Sequence, residues 1–199
     1  VSAAQVLVIG DNLLAGTNSV GAELDALAQS AGVLQADQHF ADDSSASNDA
    51  LAYMGQGILA QYTAGNPNGD VRLVVMTGGG VDAVFGTCEQ TNDQCPVLAS
   101  AAAAAQALLQ QMANDGVEQV VYLFYPDPDD TGQKARLDVL RSMIEPICEQ
   151  SAVPCYLLDL RPVFAGHYSE YVVPAGLTVQ GATAIANATW DSMGQCLTP

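Results

Sequence analysis

Apolar runs of strand length recur at residues 5–10, 72–77, 119–125 and 154–160, rich in Val, Leu, Ile and Tyr and without polar alternation. Runs of that kind belong to strands buried on both faces, as in a parallel sheet covered by helices. Between them the apolar spacing predicts helices over residues 21–31, 49–62, 96–113, 133–150 and 179–193. The third is the best marked. Pro96 suits a first helical turn, the alanines at 101–105 favour helix, and Asn114-Asp115-Gly116 terminates it. Pro146 is expected to kink the fourth helix near its end, and a weaker strand is expected over residues 33–40. Strands alternating with helices through right-handed crossovers give an α/β fold, a flavodoxin-like three-layer sandwich around a doubly wound, mostly parallel five-stranded sheet. In such sheets ligands sit outside the carboxyl ends of the strands, so the loops that follow the strands are where chemistry is expected.

Length and charge narrow the function classes. The chain has 199 residues, which suits a single domain spanning 1–199, and no internal repeat is visible. Hydrophobic residues make up 49 % and charged residues 14 %, a composition that builds a core and excludes a disordered chain. The net charge of −17 arises from 22 acidic residues against five basic ones. Four of those five (Lys134, Arg136, Arg141 and Arg161) fall in one late stretch, so no basic stripe exists to neutralise phosphates, and nucleic acid is excluded as a partner. Anionic headgroups would repel the chain, and no apolar run reaches the roughly 18 residues of a membrane span.

Four of the five cysteines form two pairs, Cys88 with Cys95 and Cys148 with Cys155, each enclosing six residues. Such loops suit local disulfides. A zinc site would need tighter spacing and further ligands, and the only histidines are His39 and His167. Disulfides imply an oxidising compartment, and Val1-Ser2-Ala3-Ala4 running into a strand reads as a mature start after signal-peptide removal, so a secreted or periplasmic location is expected. Cys196 is the odd one out and leaves a buried thiol or an interchain bond open.

The first apolar run leads into Val8-Ile9-Gly10-Asp11-Asn12-Leu13-Leu14, and the second into Thr77-Gly78-Gly79-Gly80-Val81-Asp82. Together with Ser45-Ala46-Ser47-Asn48-Asp49 and the stretch from Tyr171 to Gly181, these segments resemble, in order and spacing, the four blocks of the SGNH (GDSL) hydrolases. The resemblance implies a serine nucleophile at the position of Asn12, oxyanion donors at Asn48 and Val81, and a general-base histidine before the last helix. A carboxamide at Asn12 cannot form an acyl intermediate, and Val81 has no donor. An ungapped alignment through Thr178 and Gly181 puts Gly176 at the histidine and Val173 at the aspartate. Aligning Gly176-Leu177 with the family's Gly-Ile leaves Ala175 at the aspartate and deletes the histidine. The resemblance therefore implies a degenerate member of the family, since removal of nucleophile and base removes most of the rate.

Fallback actors for a rearranged serine site are Ser45 or Ser47 with His167, which would make the chain an esterase or deacetylase acting on esters or acetylated glycans. Asp11 and Asp82 are expected to be structural hydrogen-bonding groups, and Tyr168 and Tyr171 are candidates for an exposed stacking surface. The acidic loops Asp42-Asp43, Asp127-Pro128-Asp129-Asp130 and residues 89–93 lack the twelve-residue calcium-loop pattern and are expected to be solvated turns that bind divalent cations weakly at most. No metal centre and no cofactor are implied. The expected function is a secreted, non-catalytic protein that binds a glycan or protein partner along Asp11, Asn12, Asn48, Val81, Asp82, Tyr168 and Tyr171, or that self-assembles as a homo-oligomer.

Overall fold

The structure, a computed structural model, describes residues 1–16, 18–45, 49–88, 91–173, 176–193 and 197. Asn48, Ser47, Ala175 and Cys196 lie outside the described residues. The chain begins with a short 3-10 turn and then runs β1 (Val6–Ile9), α1 (Asn12–Ala15), α2 (Val20–Ser30), β2 (Ala41–Asp42), α3 (Gly57–Gly65), β3 (Leu73–Met76) and α4 (Gly80–Phe85). It continues through α5 (Pro96–Asn114), β4 (Gln119–Phe124), α6 (Thr131–Glu149), β5 (Cys155–Asp159), α7 (Arg161–Phe164), α8 (Tyr168–Tyr171), β6 (Val172–Val173), β7 (Gly176–Leu177) and α9 (Val179–Met193).

The five long-range strands form one sheet in the order β2-β1-β3-β4-β5, and every pairing is parallel. Strand alternation divides the core into two. Leu7, Ile9, Val74, Met76, Val120, Tyr122 and Phe124 point to one face, where Ile58 and Tyr62 of α3, Leu98 and Leu109 of α5 and Leu140 and Ile144 of α6 cover them. Val6, Val8, Leu73, Val75, Val121 and Leu123 point to the other, under Leu24 of α2 and Ile185 and Met193 of α9. Burial on both faces is why these strands read as unbroken apolar runs. The three-layer α/β architecture expected from the sequence is the one observed. Among the described residues no helix is long and apolar enough to cross a membrane.

Three local expectations are corrected. Residues 33–40 form no strand, because the N–H groups of Val33 and Leu34 turn back onto the Ala28 carbonyl at the end of α2, and the strand at that edge is Ala41–Asp42 instead. The helix expected from residue 49 starts only at Gly57. The N–H groups of Leu51, Ala52 and Tyr53 are taken by the Asp82 carboxylate, and Met54 and Gly55 then adopt positive φ values of 52° and 133°, which a helix cannot contain. Finally, a two-stranded antiparallel hairpin, β6 with β7, precedes α9 where no strand was expected. α6 continues through Pro146 to Glu149. Both expected cysteine pairs are disulfide-bonded, with Cα separations of 5.4 Å for Cys88–Cys95 and 5.2 Å for Cys148–Cys155. The second ties the last turn of α6 to the first residue of β5.

Candidate functional site

The carboxyl ends of β1 and β3 meet in a buried polar cluster. Gly10 follows β1 with φ of 154°, and a Cβ there would collide with the Thr77 hydroxyl and Leu14, so only glycine lets the two strand ends approach. Asp11, 1 % exposed, caps α1 by accepting the Leu13 N–H at 3.1 Å. Its carboxylate also accepts the hydroxyls of Thr77, at 3.2 Å, and of Tyr125, while its own N–H donates to Thr77 Oγ1 at 3.2 Å. Burial pushes the Asp11 carboxyl above its ordinary value. The hydrogen bonds from Tyr125, Leu13 and Thr77 pull the other way, and the nearby Asp82 charge adds to the rise. Burial, together with the Asp11 charge, holds the Tyr125 phenol well above the ordinary tyrosine range.

Two further buried side chains fix the surrounding loops. Asp82 in the first turn of α4, fully buried, accepts the Leu51, Ala52 and Tyr53 N–H groups at 2.9, 2.9 and 2.7 Å. Gln61 on α3 clasps Gly10, accepting its N–H at 2.7 Å and donating to its carbonyl at 3.0 Å. The same amide donates to Asp49 at 2.7 Å. Arg141, buried on α6, donates to the Tyr125 carbonyl at 2.9 Å and to Asp138 at 2.6 Å, which steadies the end of β4.

Three adjoining cavities open along this edge. One of about 190 Å³ is bounded by Asp11, Asn12, Gly80, Val81 and Tyr125. It shares Asn12 and Tyr125 with a second of about 180 Å³, whose far wall includes Pro128, Tyr168 and Gly176. It shares Val81 and Phe85 with a third, larger one of about 540 Å³ that reaches Asp49, Tyr53 and Met54. Asn12 is exposed at the first position of α1 and lies between the first two cavities, and Val81 is buried between the first and third.

The other sequence candidates are dispersed. The Ser45 N–H donates to the Gly10 carbonyl at 3.0 Å, and the three cavities are lined by neither Ser45 nor His167. His167 is exposed, with Nδ1 3.0 Å from Glu170 and its ring stacked on Tyr171 at 5.2 Å. Gly176 lies in β7 with φ of 123° and lines the second cavity. Tyr168 and Tyr171 sit at the two ends of α8, and Tyr168 lines the second cavity. Both are half-buried against Phe164, at ring separations of 6.3 and 5.3 Å, because α8 is docked by those rings onto the core beneath α9. Burial, and after it the charge of Asp129, raises the Tyr168 phenol. Among the acidic loops, Asp130 caps α6 by accepting the Gln133 N–H at 2.7 Å, Asp127 pairs with Lys134, and Asp42 accepts the Ser44 hydroxyl at 2.6 Å. Among the described residues no group of three or more His, Cys, Asp or Glu side chains converges as a metal would require.

Sequence reasoning passed over Gln61, Thr77 and Tyr125. Thr77 and Tyr125 sit one residue past β3 and β4, so their position after a strand was the available signal. Gln61 carried none, because its partner Gly10 lies 51 residues away.

No protein-family model matches the sequence, and no curated protein matches it either. The fold nevertheless has close counterparts among solved structures. LAE5, an alpha/beta hydrolase enzyme from the metagenome of Lake Arreo, Spain, superposes with a TM-score of 0.71 at 16 % identity over 100 % of this chain and 98 % of its own. A catalytic mutant of Axe2, an acetylxylan esterase from Geobacillus stearothermophilus, gives 0.72 at 14 % identity, covering 97 % of this chain and 95 % of its own. The psychrotrophic esterase EstA from Pseudoalteromonas sp. gives 0.69 at 14 % identity, covering 96 % of each chain. The protein therefore has the α/β fold of these hydrolases across its length, and at such identities the likeness concerns the fold alone.

Proposed function

We propose that this chain is a non-catalytic binding protein built on an esterase fold and acting outside the cytoplasm. The observation that carries the reading is Asn12. It stands where β1 delivers a side chain into the groove, flanked by the buried Val81 and by Gly176. An amide there has a delocalised nitrogen lone pair and an oxygen with no removable proton, so it cannot serve as the nucleophile, while Val81 offers no side-chain donor and Gly176 no base. The groove itself is formed and largely apolar, a surface suited to holding a ligand without reacting with it. Two disulfides support the non-cytoplasmic location.

The test is direct. Purified protein incubated with p-nitrophenyl acetate and with a serine-reactive fluorophosphonate is expected to show no turnover above buffer and no covalent label. Asn12→Ser is expected to remain inactive, because no histidine stands among the described residues that line the groove to deprotonate the new hydroxyl. Stoichiometric labelling of the natural chain at Ser45 or Ser47, lost on His167→Ala, would overturn the reading in favour of a rearranged esterase.

A further inference from the structure

The cavity of about 540 Å³ lies beside the Asn12 groove, between the 49–57 segment and α4. Its walls are apolar and aromatic, supplied by Tyr53, Phe85, Val81 and the thioether of Met54. Among the described residues that line it, Asp49 is the one acidic residue and none is basic. The Asp49 carboxylate is held in place by the bond from Gln61, itself fixed by two bonds to Gly10. A carboxylate oxygen carries two lone pairs, so that bond leaves acceptor capacity on the same group.

Two features of the rim are costly for folding alone. Met54 is 91 % exposed and, at φ of 52°, occupies the left-handed region that an unbranched non-glycine residue enters only under constraint. Phe85 is 50 % exposed at the end of α4. The Asp82 carboxylate imposes the backbone path that leads to Met54, through its three bonds to residues 51–53. An exposed thioether and an exposed ring thus stand together at the mouth of a cavity that holds a fixed carboxylate.

We infer that this cavity binds an organic monocation, a quaternary or protonated alkylamine whose charged head meets Asp49 and the aromatic faces while its apolar body fills the remainder. The carboxylate supplies charge, Tyr53 and Phe85 supply ring quadrupoles, and Met54 supplies a polarisable edge. About 540 Å³ accommodates such a head with several further carbons. An anion would meet Asp49 and no compensating base. A divalent ion would lack a convergent set of ligands among the described residues. The net charge of −17 concentrates cations near the surface, and the five basic side chains are engaged elsewhere: Arg72 with Glu118, Lys134 with Asp127, Arg136 with the Ala83 carbonyl, and Arg141 and Arg161 with Asp138 and Asp159.

The inference goes beyond the non-catalytic reading and does not need it, since hydrolysis of p-nitrophenyl acetate would sink that reading and leave this cavity untouched. The probe is benzyltrimethylammonium, titrated into the intact protein by calorimetry and by amide NMR at about 0.15 M salt, where diffuse surface attraction is screened. Saturable one-to-one binding is expected, at least tenfold tighter than that of the neutral isostere neopentylbenzene. Asp49→Asn is expected to weaken it at least tenfold, and Phe85→Leu, at a half-exposed position that leaves the fold intact, several-fold. Equal affinity for the cation and its isostere overturns the inference, as does failure of both to bind. Unchanged affinity in Phe85→Leu together with NMR shifts lying outside residues 49–60 and 81–85 overturns it as well.

Discussion

The two sides of the Asn12 groove are built on different principles. Around the ends of β1 and β3, Asp11, Gln61, Thr77 and Asp82 are buried, and each is tied by hydrogen bonds to groups far away in sequence. On the opposite wall, α7 and α8 are helices of four residues, β6 and β7 are strands of two, and His167 and Glu170 face solvent. That wall is anchored by the rings of Phe164, Tyr168 and Tyr171 and by a few hydrogen bonds, such as the one from the Asn18 amide to the Leu177 carbonyl at 2.7 Å, with no buried carboxylate among them. The contrast shows where geometry is over-determined. A carboxylate satisfied by several donors in a dry site fixes loops to a fraction of an ångström, whereas aromatic docking fixes a segment more loosely.

The contrast can be broken by mutation. Asp82→Ala strips the partner from three N–H groups of the 51–53 segment, two of them on partly buried residues, and should cost about 3–5 kcal/mol in denaturant unfolding. A loss below about 1 kcal/mol would show that the network is ornamental.

Asp11→Asn should act through pH. Folding raises the Asp11 carboxyl above its ordinary value, so the protonated form is the one the native state favours. The stability this contributes is complete below the ordinary carboxylate value and is lost as pH rises through the raised one. Asparagine stays neutral throughout. The stability of the natural protein relative to Asp11→Asn should therefore fall as pH rises from the ordinary carboxylate value, about 4, through the raised one, measured by urea unfolding at each pH. A flat difference would mean that Asp11 titrates alike in the folded and unfolded chains.

The smallest effect belongs to the opposite wall. His167→Ala removes an exposed ring whose pairing with Glu170 is open to solvent, and should change stability by less than about 0.5 kcal/mol. A cost comparable to that of Asp82→Ala would erase the distinction between the two walls.

The sheet was legible because parallel strands buried on both faces leave continuous apolar runs, and the disulfides were legible because their partners are seven positions apart. Residues 49–56 misled for an instructive reason. Leu51, Ala52, Tyr53 and Met54 carry helical composition, yet Asp82, about 30 positions later, captures three of their N–H groups before a helix can use them. Tyr168 and Tyr171 were legible only in part, since nothing local announces that Phe164 packs against both rings. The cavity beside Asp49 was invisible for the same reason, its walls being drawn from segments about 30 positions apart that Asp82 brings together.

By itself, then, the sequence determined the layers, the strand-ending loops and the cysteine pairing, all set by local periodicity and short separations. Tertiary structure decided which buried polar groups meet, where the third helix starts and which rings face the core. Those outcomes depend on hydrogen bonds and packing between residues tens of positions apart, whose strength comes from a dry interior that exists only once the chain has folded.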